Sequence, residues 1–368
     1  MTDTIATVTP YVIPAEPIGQ QWWARKAYVL MRVETHDGIV GWGECHLLSF
    51  REDAIAALVN RLAQWIVGRP ANDIRAFLQD AFNRFGQRRP GADVYSAFAG
   101  IEIALWDILG KRLDAPVHQL LGGACHENLP VYANIYTPGS HPPEAYAETA
   151  AQMVAQGHRL IKLYPFTAEI PVRDGIAILD AVYEAVNSEA GLAVDLWGHA
   201  TPARALELAR AMEPYDLRWI EDPFPATDAA SMRYLRDAIS QPLLSGETLP
   251  TRREFTGLFD KRAVDIVNPD ICLSGIVELQ AIATMAEPAS VTVSPHNSNS
   301  MALGTAAAVH ASAGIPNLGP IEYFPLFETA LDDVCHGRPR LEKGTIPIPD
   351  TPGHGVIFDD DAMARFRL

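Results

Sequence analysis

The sequence predicts an α+β domain at the N-terminus followed by a parallel (β/α) barrel, and two observations indicate the barrel. From residue 129 onward, short apolar runs alternate strictly with amphipathic helical stretches, which is typical of parallel strands joined by helices. Charged residues follow successive apolar runs at a nearly constant interval of about 26 residues, the length of one strand, one helix and two short loops. Because the carboxyl ends of barrel strands open onto one face, these charged residues are expected to converge there.

The N-terminal region is predicted to form antiparallel strands and then helices. Residues 5–16 are rich in β-forming side chains, and residues 28–34 and 39–44 read as two further strands joined at an Asp37-Gly38 turn. Helical periodicity covers residues 52–67, 72–85 and 94–113. Strands followed by helices without alternation indicate an α+β domain, which we place at residues 1–125.

Eight strand candidates and the helices between them define the predicted barrel, which we place at residues 126–343. The strand candidates are residues 130–136, 160–164, 192–196, 218–220, 243–244, 264–267, 291–293 and 319–323. The helix candidates are residues 143–156, 173–186, 202–212, 228–238, 276–286 and 302–313. No low-complexity linker separates the two regions, so we expect them to pack together tightly. Residues 344–368 return to extended polar sequence, and we expect this tail to rejoin the first domain.

Composition limits the classes of partner and the location. The chain has 368 residues, 48% of them hydrophobic, and a formal net charge of -16, which argues against nucleic acid or an anionic membrane as partner. No run of 18 apolar residues and no signal peptide is found, so we expect a cytoplasmic protein. The cysteines, Cys45, Cys125, Cys272 and Cys335, are scattered, which indicates reduced thiols and neither disulfides nor a zinc site.

Three carboxylates at successive strand ends, Asp195, Glu221 and Glu247, predict a metal site. Like charges brought together repel strongly unless a cation lies between them, and ligation by oxygen alone suits Mg²⁺. Solvated strand-end charges or ion-pair partners are the alternative interpretation, but the common register favours the metal. Asp222, next to Glu221, is expected behind the ligands.

His296 follows the seventh strand candidate and is predicted to be a general base. Asp270, one strand earlier, would accept a hydrogen bond from one ring nitrogen, fix the tautomer and raise the basicity of the other nitrogen. The alternative is that His296 is an ordinary polar loop residue. In that case Asp270 would be a common strand-end residue, because its role depends on His296.

Several motifs in order resemble the enolase superfamily, and within it the mandelate racemase subgroup. They are the segments Val40-Gly41-Trp42-Gly43-Glu44, Glu102-Ile103-Ala104-Leu105-Trp106-Asp107, Pro116-Val117-His118-Gln119-Leu120-Leu121-Gly122-Gly123 and Pro352-Gly353-His354-Gly355. The resemblance covers essentially the whole chain. It implies an α+β capping domain on a (β/α)7β barrel, a Mg²⁺ ion, and a Lys or His base acting through an enediolate. We also expect a homo-oligomer, a dimer or an octamer.

The resemblance assigns roles to further residues. Where the mandelate racemase subgroup has a Lys-x-Lys pair at the second barrel strand, this chain has Lys162 and Tyr164. Lys162 is expected to hold the substrate carboxylate, or else to neutralise Asp195, and Tyr164 to donate a proton or a hydrogen bond. Glu322 matches the eighth-strand carboxylate that, when protonated, donates to the enediolate oxygen; a rim salt bridge is the other interpretation.

Departures from the family pattern bear on the substrate. Trp197 stands where the family often has Asn, and its ring is expected to narrow the pocket. His46 and His199 are candidate acids for the departure of a hydroxyl group, with surface histidines as the alternative. Residues 18–23 resemble the flap that closes the site, so Trp22 is expected to contact the substrate, unless Trp22 and Trp23 pack at the domain interface.

These residues predict abstraction of the proton α to the carboxylate of a small anionic substrate. With one clear base and with acids near a hydroxyl, the favoured reaction is β-elimination of water from a sugar acid to a 2-keto-3-deoxy acid. Racemisation, epimerisation or cycloisomerisation of a related hydroxy acid is the second hypothesis. A non-catalytic or sensory protein that binds sugar acids is the third, and the intact set of predicted ligands and base argues against it.

Overall fold

The computed structural model describes residues 3–14, 27–46, 50–88, 91–135, 142–166, 170–297, 300, 302–329 and 331–367. Trp22 and Trp23, which the sequence predicts at the site or the domain interface, lie outside these residues. In the described part of the chain, no helix combines the length and the apolar character needed to cross a membrane.

The N-terminal region, called the cap below, is an antiparallel sheet covered by helices. Its strands are β1 (Ile5–Pro14), β2 (Ala27–Thr35) and β3 (Val40–Cys45), in that order across the sheet. Its helices are α1 (Glu52–Ile66), α2 (Ile74–Ala81), a π-helical turn (Phe82–Gly86), α3 (Ala92–Leu113) and α4 (Val117–Leu120). Strand β3 lies directly on α3, because a Cβ atom at Gly43 would stand only 1.8 Å from the carbonyl oxygen of Gly100.

In the described residues, the barrel has eight parallel strands and seven helices, as the fold class requires. The strands are β4 (Asn128–Asn134), β5 (Leu160–Leu163), β6 (Gly191–Asp195), β7 (Trp219–Glu221), β8 (Leu243–Ser245), β9 (Ile266–Val267), β10 (Thr292–Val293) and β11 (Ile321–Tyr323). Strand β11 pairs with β4, and a parallel bridge from Val293 to Leu318 joins β10 to the residues before β11, so the sheet closes. The predicted (β/α)7β barrel is confirmed.

The helices follow strands β4 to β10 in turn. They are α5 (Pro143–Ala155), α6 (Val172–Val186), α7 (Pro202–Met212), α8 (Ala229–Ala238), α9 (Arg252–Asp260), α10 (Ile271–Ala286) and α11 (Ala302–Ser312), with short 3-10 turns at Glu213–Tyr215, Pro325–Phe327 and Ala364–Phe366. Helix α9 is absent from the sequence-based prediction, because its nine residues are shorter than the window over which helical periodicity is read and bury only Phe255 and Leu258. Helix α10 begins five residues earlier than predicted, since a turn precedes a kink at Gly275 (φ 80°).

The barrel interior beneath the strand ends is filled by side chains. Tyr132, Ala193, Trp219 and Leu244 form a buried cluster there, and the rings of Tyr132 and Trp219 meet edge to face with centroids 5.1 Å apart. Side chains alternate along a strand, so the residue two positions after each of these points into the same interior. The cluster is therefore the floor of any site at the carboxyl ends.

The tail contacts both the barrel and the cap. Its elements are β13 (Thr345–Pro347), β14 (Ile357–Phe358) and α12 (Asp360–Met363), and the short strand β12 (Cys335–His336), which precedes the tail, pairs with β14. Strand β13 pairs with β4 of the barrel, whereas Gly353 bridges to Pro116 of the cap. His354, where the family pattern has an apolar residue, is buried with Nε2 3.1 Å from both Asp107 Oδ2 and the Trp42 carbonyl oxygen.

Candidate active site

Eight polar side chains converge at the carboxyl face of the barrel. Each strand from β4 to β11 contributes one side chain at or near its end: Asn134, Lys162, Asp195, Glu221, Glu247, Asp270, His296 and Glu322. All of these except Glu247 are buried. Residues separated by as much as half of the chain thus lie together at one end of the barrel, as the barrel geometry dictates.

Asp195, Glu221 and Glu247 form a carboxylate trio whose possible ligand oxygens all lie within 4.8 Å of one another. Burial raises the pKa of Asp195 to about 6 and that of Glu221 well above its ordinary value. Burial also opposes ionisation of Glu247, but the charge of His296 holds its pKa down at about 2. Lys162 and His296 supply only part of the counter-charge that three clustered carboxylates need, and the oxygen-only donor set fits a divalent ion such as Mg²⁺.

Two buried side chains orient Glu221. The indole N–H of Trp219 donates to Oε2 at 3.0 Å, and the Asn268 amide donates to Oε1 at 3.2 Å. Both residues are absent from the sequence-based prediction. Trp219 could have been found from the period of two along β7, and Asn268 from its place directly after β9.

Asp222 lies behind the trio. Its carboxylate accepts a short hydrogen bond from the Ser245 hydroxyl, and its backbone adopts a left-handed conformation with φ of 37°. Burial and the neighbouring Glu247 and Asp195 raise its pKa well above the ordinary value. The structure thus separates Asp222 from the cluster of possible ligands, as its position in the sequence suggested.

Lys162 is fully buried among three carboxylates. Its Nζ lies 2.7 Å from Glu221, 2.7 Å from Glu322 and 3.4 Å from Asp195. Burial disfavours the ammonium ion, but Glu221 and Glu322 outweigh it and raise the pKa of Lys162 well above its ordinary value. The contacts with these carboxylates therefore hold Lys162 as a cation.

Tyr164 and Glu322 are linked by a residue that the sequence did not single out. The Asn134 amide nitrogen donates to the Tyr164 oxygen at 2.6 Å and to Glu322 Oε1 at 2.7 Å. Glu322 Oε2 also accepts from the backbone N–H of Asn297 at 3.0 Å. Asn134 ends β4, and its polar side chain after an apolar run was the available signal. These contacts place Tyr164 and Glu322 side by side.

His296 and Asp270 contact each other directly. His296 Nδ1 lies 2.6 Å from Asp270 Oδ2, and its Nε2 faces the cavity between Glu247 Oε2 (3.1 Å) and Glu322 Oε2 (3.3 Å). Burial disfavours the imidazolium, but Glu247 and Glu322 raise the pKa of His296 well above its ordinary value. The contact with Asp270 assigns the proton of the neutral ring to Nδ1, which leaves Nε2 as the basic atom.

Asp270 itself is fixed by a helix terminus. Its Oδ1 accepts from the backbone N–H groups of Cys272 (2.8 Å) and Leu273 (2.9 Å), which makes it the N-cap of α10. Although burial opposes the charge, His46 and His296 lower the pKa of Asp270. One oxygen therefore anchors the helix while the other orients the imidazole.

His46 reaches this pair from the cap. Its Nδ1 lies 3.4 Å from Asp270 Oδ2, and the centroids of the His46 and His296 rings are 6.5 Å apart. The same carboxylate oxygen thus faces two imidazoles. His46 stands inside the site next to the proposed base, and the surface-histidine interpretation does not apply to it.

Trp197 and His199 lie farther out. Trp197 is 39% exposed, and its ring centroid is 5.9 Å from that of Tyr164 and 6.3 Å from that of His199. Its left-handed backbone (φ 57°) allows its N–H to donate to Asp195 Oδ1 at 2.8 Å. His199 is exposed beyond this ring. Trp197 therefore borders the cavity, whereas His199 lies at its outer rim.

Comparisons with known proteins agree with this geometry. The chain is 30% identical to D-xylonate dehydratase of Haloferax volcanii, over 91% of this chain and 84% of that protein. It is 31% identical to D-galactarolactone cycloisomerase of Agrobacterium fabrum, over 94% and 92% of the two chains. The crystal structure of a mandelate racemase/muconate lactonizing enzyme from Jannaschia sp. CCS1 superimposes with a TM-score of 0.89 at 30% identity, covering 99% of this chain and 98% of that one.

Family models match both parts of the chain. Residues 4–122 match the N-terminal domain of mandelate racemase and muconate lactonizing enzyme, and residues 145–362 match the enolase C-terminal domain-like family. The two matches follow each other in the order of the cap and the barrel. On these matches and on the shared fold, the chain belongs to the mandelate racemase/muconate lactonizing enzyme family of the enolase superfamily.

Proposed function

We propose that this protein is a sugar-acid dehydratase that removes the proton α to the substrate carboxylate and then expels a hydroxyl group as water. The observation that carries the proposal is the asymmetry of the site. The imidazole of His296 has an orienting partner, Asp270, on Nδ1 and a second nitrogen, Nε2, for proton transfer, whereas the single side-chain nitrogen of Lys162 is fully buried and contacts three carboxylates. A racemase needs a competent base on each face of the α-carbon, and a dehydratase needs one base and an acid.

Asp195, Glu221 and Glu247 would hold a Mg²⁺ ion, because they are clustered, partly lack counter-charge and offer oxygen ligands only. When bound, the ion supplies positive charge that stabilises the negative charge developing on the substrate carboxylate. Trp219 and Asn268 keep the Glu221 carboxylate turned toward this position. The carboxylates alone would repel an anionic substrate, so the positive charge that attracts it locally would come from the ion that they hold.

The remaining side chains bind the substrate and move protons. His296 Nε2 takes the α-proton while Asp270 stabilises the imidazolium that forms. Lys162 and Tyr164, with Nζ 5.7 Å from the ring centroid, neutralise or hydrogen-bond substrate oxygens. Burial opposes the charge of Glu322, but Lys162 and His296 lower its pKa, so it must first take up a proton before it donates one to the enediolate oxygen. Asn134 holds it next to Tyr164.

His46 is the better candidate for the acid that protonates the departing hydroxyl. It lies beside Asp270 inside the site, whereas His199 is exposed at the rim beyond Trp197. Trp197 then shapes the distal end of the substrate pocket. The names of the relatives support an acid sugar as substrate, since one is a D-xylonate dehydratase.

Cycloisomerisation is the second candidate, and it rests on the 31% identical D-galactarolactone cycloisomerase. Both reactions begin with removal of an α-proton, so the product distinguishes them. Purified protein with Mg²⁺ is incubated with a library of acid sugars and their lactones in deuterated water, and products are identified by NMR. A 2-keto-3-deoxy acid formed from an open-chain acid sugar, with loss of water, supports the dehydratase. An α-deuterated epimer, or a product formed only from a lactone and without loss of water, overturns it.

A further inference from the structure

A buried carboxylate of the cap bonds to a helix of the barrel. Glu102, on α3, is completely buried, and its Oε1 accepts from the backbone N–H of Val277 at 2.8 Å and from the Trp106 indole at 3.1 Å. Val277 lies two residues beyond the kink of α10 at Gly275, in the first turn of the straight segment. Such N–H groups have no partner within their own helix, so Glu102 caps this segment from another domain.

Asp270 lies on the N-terminal side of the same kink. The turn from Ile271 to Ser274 is the one that Asp270 caps, and its Cys272 carbonyl accepts from the backbone N–H of His46 at 3.0 Å. The His46 carbonyl in turn accepts from the Ser96 hydroxyl of α3 at 2.6 Å. The turn that positions Asp270 is therefore tied to the cap on both sides of the kink.

A second buried carboxylate of the cap makes the equivalent contact with the next helix. Glu44, at the end of β3, accepts through Oε2 from the backbone N–H of Gly304 at 2.9 Å. Gly304 lies in the first turn of α11, the helix that follows the strand of His296. The two helices capped from outside the barrel are thus the ones that follow Asp270 and His296.

We propose that Glu102 and Glu44 are positioning residues for the His296–Asp270 pair, so that the cap sets the geometry of the base as well as covering the substrate. This inference rests on the proposed function of that pair. Glu102 contacts the helix segment that follows Asp270, and Glu44 contacts the first turn of α11, the helix that follows the strand of His296. Displacement of a reacting group by about 1 Å costs roughly a hundredfold in rate, so loss of either cap is expected to act on the chemical step.

The test compares Glu102→Met, which removes the acceptor, with Glu102→Gln, which keeps an amide oxygen in its place. Exchange of the substrate α-proton in deuterated water is measured per folded molecule, together with KM and Mg²⁺ affinity. We expect Glu102→Met to slow exchange about tenfold or more, with KM and Mg²⁺ affinity within about twofold of wild type. We expect Glu102→Gln to restore most of the rate. Glu44→Met, which acts on the other helix, is the second variant should Glu102→Met fail to fold, and we expect it to slow exchange in the same way.

Asp107→Asn is the matched control. Asp107 is a fully buried carboxylate on the same helix, but it accepts from Trp42 (3.1 Å) and His354 (3.2 Å), in the cap and the tail. We expect this variant to lose stability while keeping its exchange rate per folded molecule. An equal loss of rate in Asp107→Asn, or an unchanged rate in both Glu102→Met and Glu44→Met, would overturn the positioning role.

A spectroscopic readout separates this inference from the proposed function. The proton between His296 Nδ1 and Asp270 should give a downfield proton resonance, identified by its loss in His296→Asn. We expect Glu102→Met or Glu44→Met to shift or broaden this resonance, and Asp107→Asn to leave it in place. An unchanged resonance in both variants overturns the inference. Should wild type exchange no α-proton from any acid sugar, the proposed function fails, whereas the resonance still reports the geometry of the pair.

Discussion

Glu221 and Asp270 are both fully buried carboxylates at strand ends, yet different parts of the molecule hold them. Glu221 is oriented by Trp219, Asn268 and Lys162, all from the barrel. Asp270 is held by the first turn of α10, which the cap contacts through His46. The carboxylate proposed to bind metal is thus oriented by contacts within the barrel, whereas the proposed base is positioned where barrel and cap meet; these two parts of the site are called the metal side and the base side below.

This difference teaches that the two halves should respond separately to substitution. Changes among the barrel carboxylates should alter metal affinity, and changes at the cap contacts should alter proton transfer. Each prediction below tests whether the two sides can be separated in this way, beginning with the largest expected effect.

Removing the base should abolish chemistry and leave the metal side intact. We expect His296→Asn to lower dehydration and α-proton exchange together by roughly 10²- to 10⁴-fold, because general base catalysis typically contributes that much. Mg²⁺ affinity, measured by isothermal titration calorimetry, should change little. Retained exchange in this variant would place the base elsewhere and remove the asymmetry between the two sides.

Removing a carboxylate on the metal side should weaken Mg²⁺ binding, the quantity that His296→Asn is expected to leave nearly unchanged. We expect a chelator to abolish turnover, and Glu247→Gln to weaken Mg²⁺ binding at least tenfold or so, because one anionic ligand is lost. Titration of activity against Mg²⁺ measures the effect. Full activity in chelated protein would contradict the metal site altogether.

Lys162 lies on the boundary between the two sides, because it contacts Asp195, Glu221 and Glu322 at once. We expect Lys162→Met to raise KM and to lower turnover about tenfold or more, because the three buried carboxylates around Lys162 lose their cation. No α-deuterated epimer should form in deuterated water in either protein. If Lys162→Met blocks exchange while His296→Asn retains it, the roles of the two faces are reversed.

The metal side was predictable from the sequence, and the reason is geometric. Asp195, Glu221 and Glu247 each end an apolar run at the barrel period, so closing the barrel brings them together without further information. All eight predicted strands are present, with ends moved by up to two residues. The contact between His296 and Asp270 follows from the same register.

The supports of these residues were harder to predict. Trp219 and Asn134 look like ordinary strand residues, and only the sheet closure shows that each hydrogen-bonds a site residue. The contacts of Glu102 and Glu44 join residues 175 and 260 positions apart, and nothing in local periodicity indicates which helix each one caps. The resemblance to a family located the motifs that contain them but assigned these side chains no partner.

The smallest effect that we expect is on stability, and it arises from Glu102 of the cap. Burial raises the pKa of Glu102 to about 8, although the hydrogen bonds from Val277 and Trp106 favour its charged form. The ordinary pKa of the group is 4.5, so between that pH and about 8 the folded protein keeps a proton that the unfolded chain releases. The contribution of Glu102 to the free energy of unfolding is therefore complete below pH 4.5 and falls as pH rises, by about 1.4 kcal/mol per pH unit.

Glu102→Gln should remove this dependence while preserving the acceptor for Val277. Denaturant unfolding of both proteins from pH 5 to 7.5 gives the free energy of unfolding at each pH, and we expect the wild-type curve to fall more steeply by about 1.4 kcal/mol per unit. Glu207→Gln, on the exposed face of α7, should leave the slope unchanged. Parallel curves for wild type and Glu102→Gln would show that Glu102 is ionised in the folded protein. The cap would then contact the base side through a buried charge, which makes a stronger hydrogen bond than a neutral acid does.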